Sequence, residues 1–184
     1  MRRAIPGMLA IFLLLPAAAC TSITAPGANG TTLFEIEYVN YAWVPTWRGF
    51  VIDSTGAIHS YDLKGKPWEP GNADYPTRAE LGAKYTTNSK PAGDVDLATF
   101  QAMEARAGGA AAGPISDPTG GCADAGTVTY SAWLYDSAQD AFRRVLLWRE
   151  GDIAQMNRSA DGRAIADWLK SLQLEHAIQG CQPV

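Results

Sequence analysis

The sequence predicts an α+β domain built on a mostly antiparallel sheet of about five to six strands, in the order β-β-β-α-α-β-β-β-α. Two stretches, 32–61 and 127–157, alternate apolar and polar residues with period two and are broken by short turn-forming segments. Between them lie two helical patterns, each preceded by a capping residue. A final segment carries apolar residues at i, i+3, i+4 and i+7, the spacing of one helix face.

Taken in order, Thr32–Asn40 alternates Phe34, Ile36 and Tyr38 against Glu35 and Glu37, the pattern of a half-buried strand with a charged outer face. Trp47–Asp53 follows as a second strand with Phe50 and Ile52 on one face. Ser54-Thr55-Gly56 turns the chain into a third strand, Ala57–Tyr61. Lys64–Tyr75, with Gly65, Pro67 and Pro70-Gly71, reads as a loop. Thr77, with Glu80 three residues on, forms a capping box for a short helix ending near Lys84. Asp94 precedes a second helix, Val95–Ala107, whose stripe is Leu97, Phe100, Met103 and Ala107. Gly108–Gly121 is so rich in glycine and proline that loop is expected throughout. Thr127–Tyr135 and Phe142–Arg149 form a hairpin around the polar turn Asp136–Asp140. Glu150-Gly151-Asp152 then leads to a short strand, Ile153–Asn157. Ser159 caps the last helix, with Ile165, Trp168, Leu169 and Leu172 facing the sheet.

The first twenty residues have a different character. Arg2 and Arg3 precede an unbroken apolar run, Met8–Leu15, followed by Pro16, three alanines and Cys20. A membrane-spanning helix needs about 18 or more apolar residues, and this run is too short. The pattern is that of a secretory signal, residues 1–19, with small residues at a cleavage point. With Ala18 and Ala19 directly before Cys20, it resembles a bacterial lipoprotein signal, in which the cysteine thiol receives a diacylglycerol. The family usually has Leu three residues before the cysteine; here that position is Ala17. An ordinary signal with an incidental cysteine is the competing reading. The resemblance implies that Cys20 becomes a lipidated N-terminus held in the membrane by acyl chains (palmitate among them). With Thr21 rather than Asp next, it also implies the outer membrane, facing the periplasm. Residues 20–31 then form a flexible tether, small and polar, with a reach of about 18 Å. The globular domain expected is 32–184.

Without residues 1–19, Lys and Arg fall from 15 to 13 against 19 acidic residues, a net charge of about −6. That balance disfavours nucleic acid as a partner and supplies no polybasic patch for anionic lipid. Cys122 and Cys181 remain after Cys20. In an oxidising compartment the pair reads as a disulfide, stabilising the fold by roughly 4 kcal/mol in the chain-entropy model.

Motifs for familiar chemistry are missing. There is no Gly-x-Ser-x-Gly, no His-Glu-x-x-His, no P-loop and no strand followed by Gly-x-Gly-x-x-Gly. No cofactor or metal is therefore expected. Asp94 and Asp96 read as helix-capping residues, and Asp53, Asp62 and Asp136 as turn formers. His59 reads as a strand histidine and His176 as part of a solvated tail. One feature stands out: Tyr41, Trp43 and Trp47 between the first two strands, and Trp68 and Tyr75 in the following loop. In a meander those two loops emerge at one end of the sheet. Trp43, Trp47, Trp68 and Tyr75 are therefore the candidate ligand-binding residues, suited to stacking on glycan or extended peptide. The competing reading is that these rings plug the end of the sheet. Trp133, Trp148 and Trp168 sit in regular elements and are expected in the core. Three functions follow: a non-enzymatic lipoprotein that binds a glycan, peptide or envelope protein; an envelope hydrolase using carboxylates not located by sequence; or a structural subunit of an envelope assembly.

Overall fold

A computed structural model describes residues 32–42 and 44–174. Eleven elements follow in chain order: β1 (Leu33–Asn40), β2 (Thr46–Ile52), β3 (Ala57–Asp62), α1 (Arg78–Thr86), β4 (Lys90–Asp94), α2 (Leu97–Ala111), β5 (Thr119–Gly120), β6 (Thr127–Asp136), β7 (Ala141–Gly151), β8 (Ile153–Met156) and α3 (Ala160–Ser171). The strands form one eight-stranded sheet of order β4-β3-β2-β1-β6-β7-β8-β5. Every pairing is antiparallel. Two meanders, β1-β2-β3 and β6-β7-β8, meet along β1 and β6, so β1 has a partner strand on both sides.

Period-two alternation sends the two halves of each strand to opposite faces. Phe34, Ile36, Ile52, Ile58, Val128, Tyr130 and Ala132 point to one face, where they pack with Phe100 and Ala107 of α2 and Ile165 and Leu169 of α3. Leu33, Val51, Tyr61, Trp133 and Phe142 point to the other, where they pack with Leu81 and Tyr85 of α1 and Leu63 of the following loop. The sheet is thus covered on both sides by different elements. Two predicted caps hold: Thr77 and Glu80 form the full capping box of α1, and Ser159 accepts from the Gly162 amide at the start of α3; at α2 the cap is Asp96, the helix starts at Leu97 rather than Val95, and Asp94 instead ends β4.

Four expectations are corrected. The sheet has eight strands rather than five or six, because β4 and β5 lie at its edges. β4 reads Lys-Pro-Ala-Gly-Asp and is exposed along its whole length. It has no alternation to betray it, and the proline and glycine that suggest a loop are residues tolerated at a sheet edge. The 108–121 stretch is not all loop: α2 continues through Gly108 and Gly109 to Ala111, and Thr119–Gly120 forms β5. At Gly109 α2 packs closely on α3, where a Cβ would fall 2.1 Å from an Asp161 carboxylate oxygen. Leu97, placed by periodicity on the buried stripe of α2, is 47% exposed, and Ala110 is buried instead. The fourth correction concerns β1 itself: the face bearing Glu35 and Glu37 is not an outer face. Both glutamates are buried, because α1 and the 63–76 loop cover that side of the sheet.

Candidate functional site

The burial of Glu35 and Glu37 is resolved by residues from five other elements, β2, β3, α1, β6 and β7. Glu37 pairs across β2 with Gly49, and Gly49 pairs with Tyr61 on β3. Gly49 leaves the space that lets Tyr61 lie across β2. A Cβ there would sit 2.3 Å from the Ile36 carbonyl oxygen and 2.7 Å from the Tyr61 hydroxyl oxygen. The tyrosine therefore reaches over one strand and donates to Glu35 Oε1 at 2.8 Å. The capping box fixes where α1 begins. Leu81, Lys84 and Tyr85 then share the helix face turned to the sheet, and all three are buried. Arg144 comes from β7, directly opposite Trp133 of β6.

Lys84 Nζ donates to Glu35 Oε1 at 2.6 Å and to Glu37 Oε1 at 2.7 Å. Arg144 Nη2 donates to Glu37 Oε2 at 2.9 Å and lies 3.3 Å from Glu35 Oε2. Trp133 Nε1 donates to Glu35 Oε2 at 3.0 Å, and Trp47 Nε1 to Glu37 Oε1 at 2.7 Å. The Ser131 hydroxyl accepts from Arg144 Nε at 3.1 Å. Two carboxylates, one ammonium and one guanidinium leave the cluster neutral. Glu35, Glu37 and Lys84 are 0%, 4% and 2% exposed; only the Arg144 side chain, at 29%, reaches solvent. Three rings surround the ammonium: Lys84 Nζ lies 4.5 Å from the Trp68 ring centre, 5.3 Å from that of Tyr61 and 5.5 Å from that of Tyr85.

Burial alone would push the Glu37 carboxyl up. The charges of Lys84 and Arg144, with hydrogen bonds from Lys84 and Trp47, outweigh it and hold Glu37 well below the usual carboxylate range. Burial likewise works against the Arg144 charge, and Glu37 and Glu35 more than offset it. Burial and the two nearby carboxylates raise the Tyr61 and Tyr85 hydroxyls well above their ordinary values. Chemically, this is a poor arrangement for acid–base work. A general acid needs a carboxyl that keeps its proton near neutrality, whereas Glu37 is held ionised by paired cations.

The candidate aromatic residues are drawn together only in part. Trp47 lies in β2 and Trp68 in the 63–76 loop; both are half-buried and pack on the cluster of Leu33, Tyr61 and Trp133. Trp68 meets Trp133 edge to face, with ring centres 5.9 Å apart. The two loops do meet: the Leu63 amide donates to the Trp47 carbonyl at 2.9 Å. Gly65, at φ +73°, sits so close to Pro45 that a Cβ would lie 2.3 Å from the proline carbonyl oxygen. Tyr41 is 59% exposed and stands edge-on to Trp47, ring centres 6.1 Å apart. Tyr75 is half-buried but does not join the ring cluster. Trp43 lies outside the described residues. Trp68 also lines a surface groove of about 350 Å³ between its loop and α1, with Leu63, Lys66, Pro67, Glu69 and Ala83. The rings thus do two things: they roof the charged cluster from inside and present part of their surface outside.

The remaining candidates fall into place singly. Asp96 caps α2 by accepting from the Thr99 amide, while Asp53, Asp62 and Asp136 accept from turn amides two residues on. His59 Nε2 lies 3.8 Å from Asp53 Oδ2, and its Nδ1 is buried without a hydrogen-bond partner. Trp133 is fully buried, whereas Trp148 and Trp168 pack against the other core while partly exposed. Among the described residues no group of three or more His, Cys, Asp or Glu side chains is placed to hold a metal ion, and no helix is long and apolar enough to cross a membrane. Cys122 is disulfide-bonded; Cys20, His176 and Cys181 lie outside the described residues. Sequence reading missed the Glu35–Glu37–Lys84–Arg144 cluster. Its one legible trace was the neighbouring Leu33 and Val51, apolar residues in register with the glutamates on a face otherwise read as solvated.

No protein-family model matches the chain, and neither a curated protein nor a solved structure is significantly similar to it.

Proposed function

We propose that this chain is a lipid-anchored protein of a bacterial envelope. On this reading it is held at the outer membrane through Cys20, and its periplasmic domain binds a glycan, a peptide or an envelope protein rather than performing hydrolysis. The observation that carries the binding reading is Trp68. Its indole is fixed from beneath by Lys84 and Trp133 while it lines an open groove. A ring already held in place loses little conformational freedom when a ligand stacks on it, and the walls of Pro67 and Leu63 add apolar surface beside the rim charges of Lys66 and Glu69.

The hydrolase reading is weakened by the same cluster. Glycoside hydrolysis requires two carboxyl groups flanking a bond that solvent and substrate can reach, one of them protonated. The two glutamates brought together here are under cover and saturated with cationic partners. The anchor rests on the leader pattern, and Cys20→Ser should move the protein from the membrane fraction to a soluble or unprocessed form. The binding reading is tested by titrating the full chain with soluble peptidoglycan fragments and following tryptophan fluorescence. A saturable change that is lost in Trp68→Ala is expected; no change at millimolar fragment would overturn the glycan form of the reading.

A further inference from the structure

A second site follows from a register shift in β7. Arg144 lies opposite Trp133, Leu146 opposite Ser131 and Arg149 opposite Thr129. The two arginines are an odd number of residues apart, and regular alternation would send them to opposite faces of the sheet. The register shifts between Tyr130 and Ser131, and Leu147 is the extra residue on β7. A bulge of this kind re-aims the side chains beyond it. Arg144, Leu146 and Arg149 therefore share one face with Glu37, which also lies opposite Thr129. α1 packs beside β3, and the loop before it reaches only the start of β7, where Thr77 bridges to Ala141. Farther along β7 the face is more open: Leu146, Arg149 and the neighbouring Gln155 of β8 are half-buried.

Each guanidinium is held by the protein and keeps one edge unused. Arg144 donates from Nε to Ser131 and from Nη2 to Glu37, which leaves Nη1. Arg149 donates from Nη1 to Gln155 Oε1 at 3.2 Å, and its Nε is buried without a partner, which leaves Nη2 for a ligand. Among the described residues Arg149 has no ion pair. The acids close to it in sequence are engaged elsewhere, Glu150 with Trp148 and Lys170, and Asp152 with the Ala125 and Gly126 amides. Lys84 and Arg144 already neutralise Glu35 and Glu37, so Arg149 leaves an excess of one positive charge. Burial and the Arg144 charge press its guanidinium below the ordinary value, and Glu37 offsets them only in part.

We propose that Arg149, with the unused edge of Arg144, binds the C-terminal carboxylate of a peptide. A carboxylate carries the single negative charge that matches the excess, whereas a phosphate monoester carries close to two near neutrality and would overshoot it. Guanidinium groups offer planar pairs of donors suited to carboxylate oxygens. Gln155 fixes the Arg149 group before a ligand arrives, which lowers the ordering cost of binding. Leu146, between the two arginines on the same face, offers apolar contact. The last residue of a peptide meets both features, because its side chain and its carboxylate leave the same carbon. The site lies on β7, apart from the groove between Trp68 and α1, and it stands whether or not that groove takes a ligand.

The test is a calorimetric titration of the full chain with N-acetyl-alanyl-alanine, with its C-terminal amide, and with acetate. Saturable binding of the acid is expected, weakening as salt is added, with the amide and acetate each at least tenfold weaker. Arg149→Gln should weaken binding of the acid at least tenfold, and Gln155→Ala severalfold. Arg149→Gln removes a cation crowded by another, so its melting temperature should equal or exceed that of the parent, an outcome opposite to the loss expected of a purely structural arginine. Arg149→Lys keeps the charge but not the fork and should bind with intermediate affinity, which keeps the assignment testable if the glutamine variant fails to fold. Absence of binding of the acid at millimolar concentration, equal binding of the amide or of acetate, or affinity unchanged in the Arg149 variants would overturn the assignment.

Discussion

Lys84 and Glu35 lie 49 residues apart in sequence, yet the lysine ammonium and a glutamate oxygen meet at 2.6 Å with neither side chain exposed. This contact ties α1 to the central strand and makes a fully ionic feature part of the interior. Buried pairs are expensive to desolvate, so the pair is no proof of high stability. Removing one member, however, leaves an uncompensated charge under cover. Lys84→Met should therefore cost about 3–5 kcal/mol, since Glu35 and Glu37 would face each other without the shared cation. Urea denaturation of the variant measures this directly.

The same cluster sets the pH dependence of stability. Glu37 has a folded-state pKa below its value of 4.5 in the unfolded chain, so the unfolded state binds protons first as pH falls. Its contribution is complete above about pH 5 and is lost progressively below it. Tyr61 and Tyr85 act at the other end. Their folded-state values lie well above 10.0, so they contribute fully below pH 10 and lose that contribution as pH rises further and the unfolded chain releases their protons. Melting temperature against pH should show a plateau with a fall on each side. Lys84→Met should blunt the acid limb, because Glu37 loses the nearer of its two cations.

Gly49 should be intolerant of even one added carbon. A methyl group there meets the Ile36 carbonyl, which is backbone and cannot move aside, as well as the Tyr61 hydroxyl. Gly49→Ala should destabilise by about 1–3 kcal/mol through overpacking. Near-ultraviolet circular dichroism should change with it, because Tyr61 would be displaced from Glu35.

Cys122 belongs to the segment that leads into β6, its amide donating to the Gly151 carbonyl at 3.1 Å. Mass spectrometry of the unreduced protein is expected to recover a peptide joining Cys122 to Cys181, with no alkylatable thiol at either. Cys122→Ala should lower stability by about 2–5 kcal/mol, read as a shift in the urea midpoint.

Much of the architecture was legible because it is local. Alternation located β1, β2, β3, β6 and β7, and side chains that accept from nearby amides located the starts of α1 and α3. What was not legible depends on partners distant in the chain. β4 is a strand only because β3 offers it an edge. Glu35 and Glu37 carry an outward-facing signature in sequence, and only the folding of α1 over them turns that face inward. The cations that neutralise them, Lys84 and Arg144, lie 60 residues apart on different elements, with no motif to link them. The aromatic residues were found by composition alone, but composition does not distinguish a ring that roofs a cluster from one that offers a platform; Trp68 does both.

The central claim is that the paired glutamates are a buried scaffold, with Glu37 held ionised by its cationic partners, and not a catalytic pair. The most direct test follows the Glu37 side-chain carboxyl by carbon-detected nuclear magnetic resonance in the folded protein between pH 8 and pH 3. The expected result is a carboxylate signal that does not titrate while the protein stays folded. A midpoint above pH 5 would contradict the account, because Glu37 would then hold a proton where a general acid needs one.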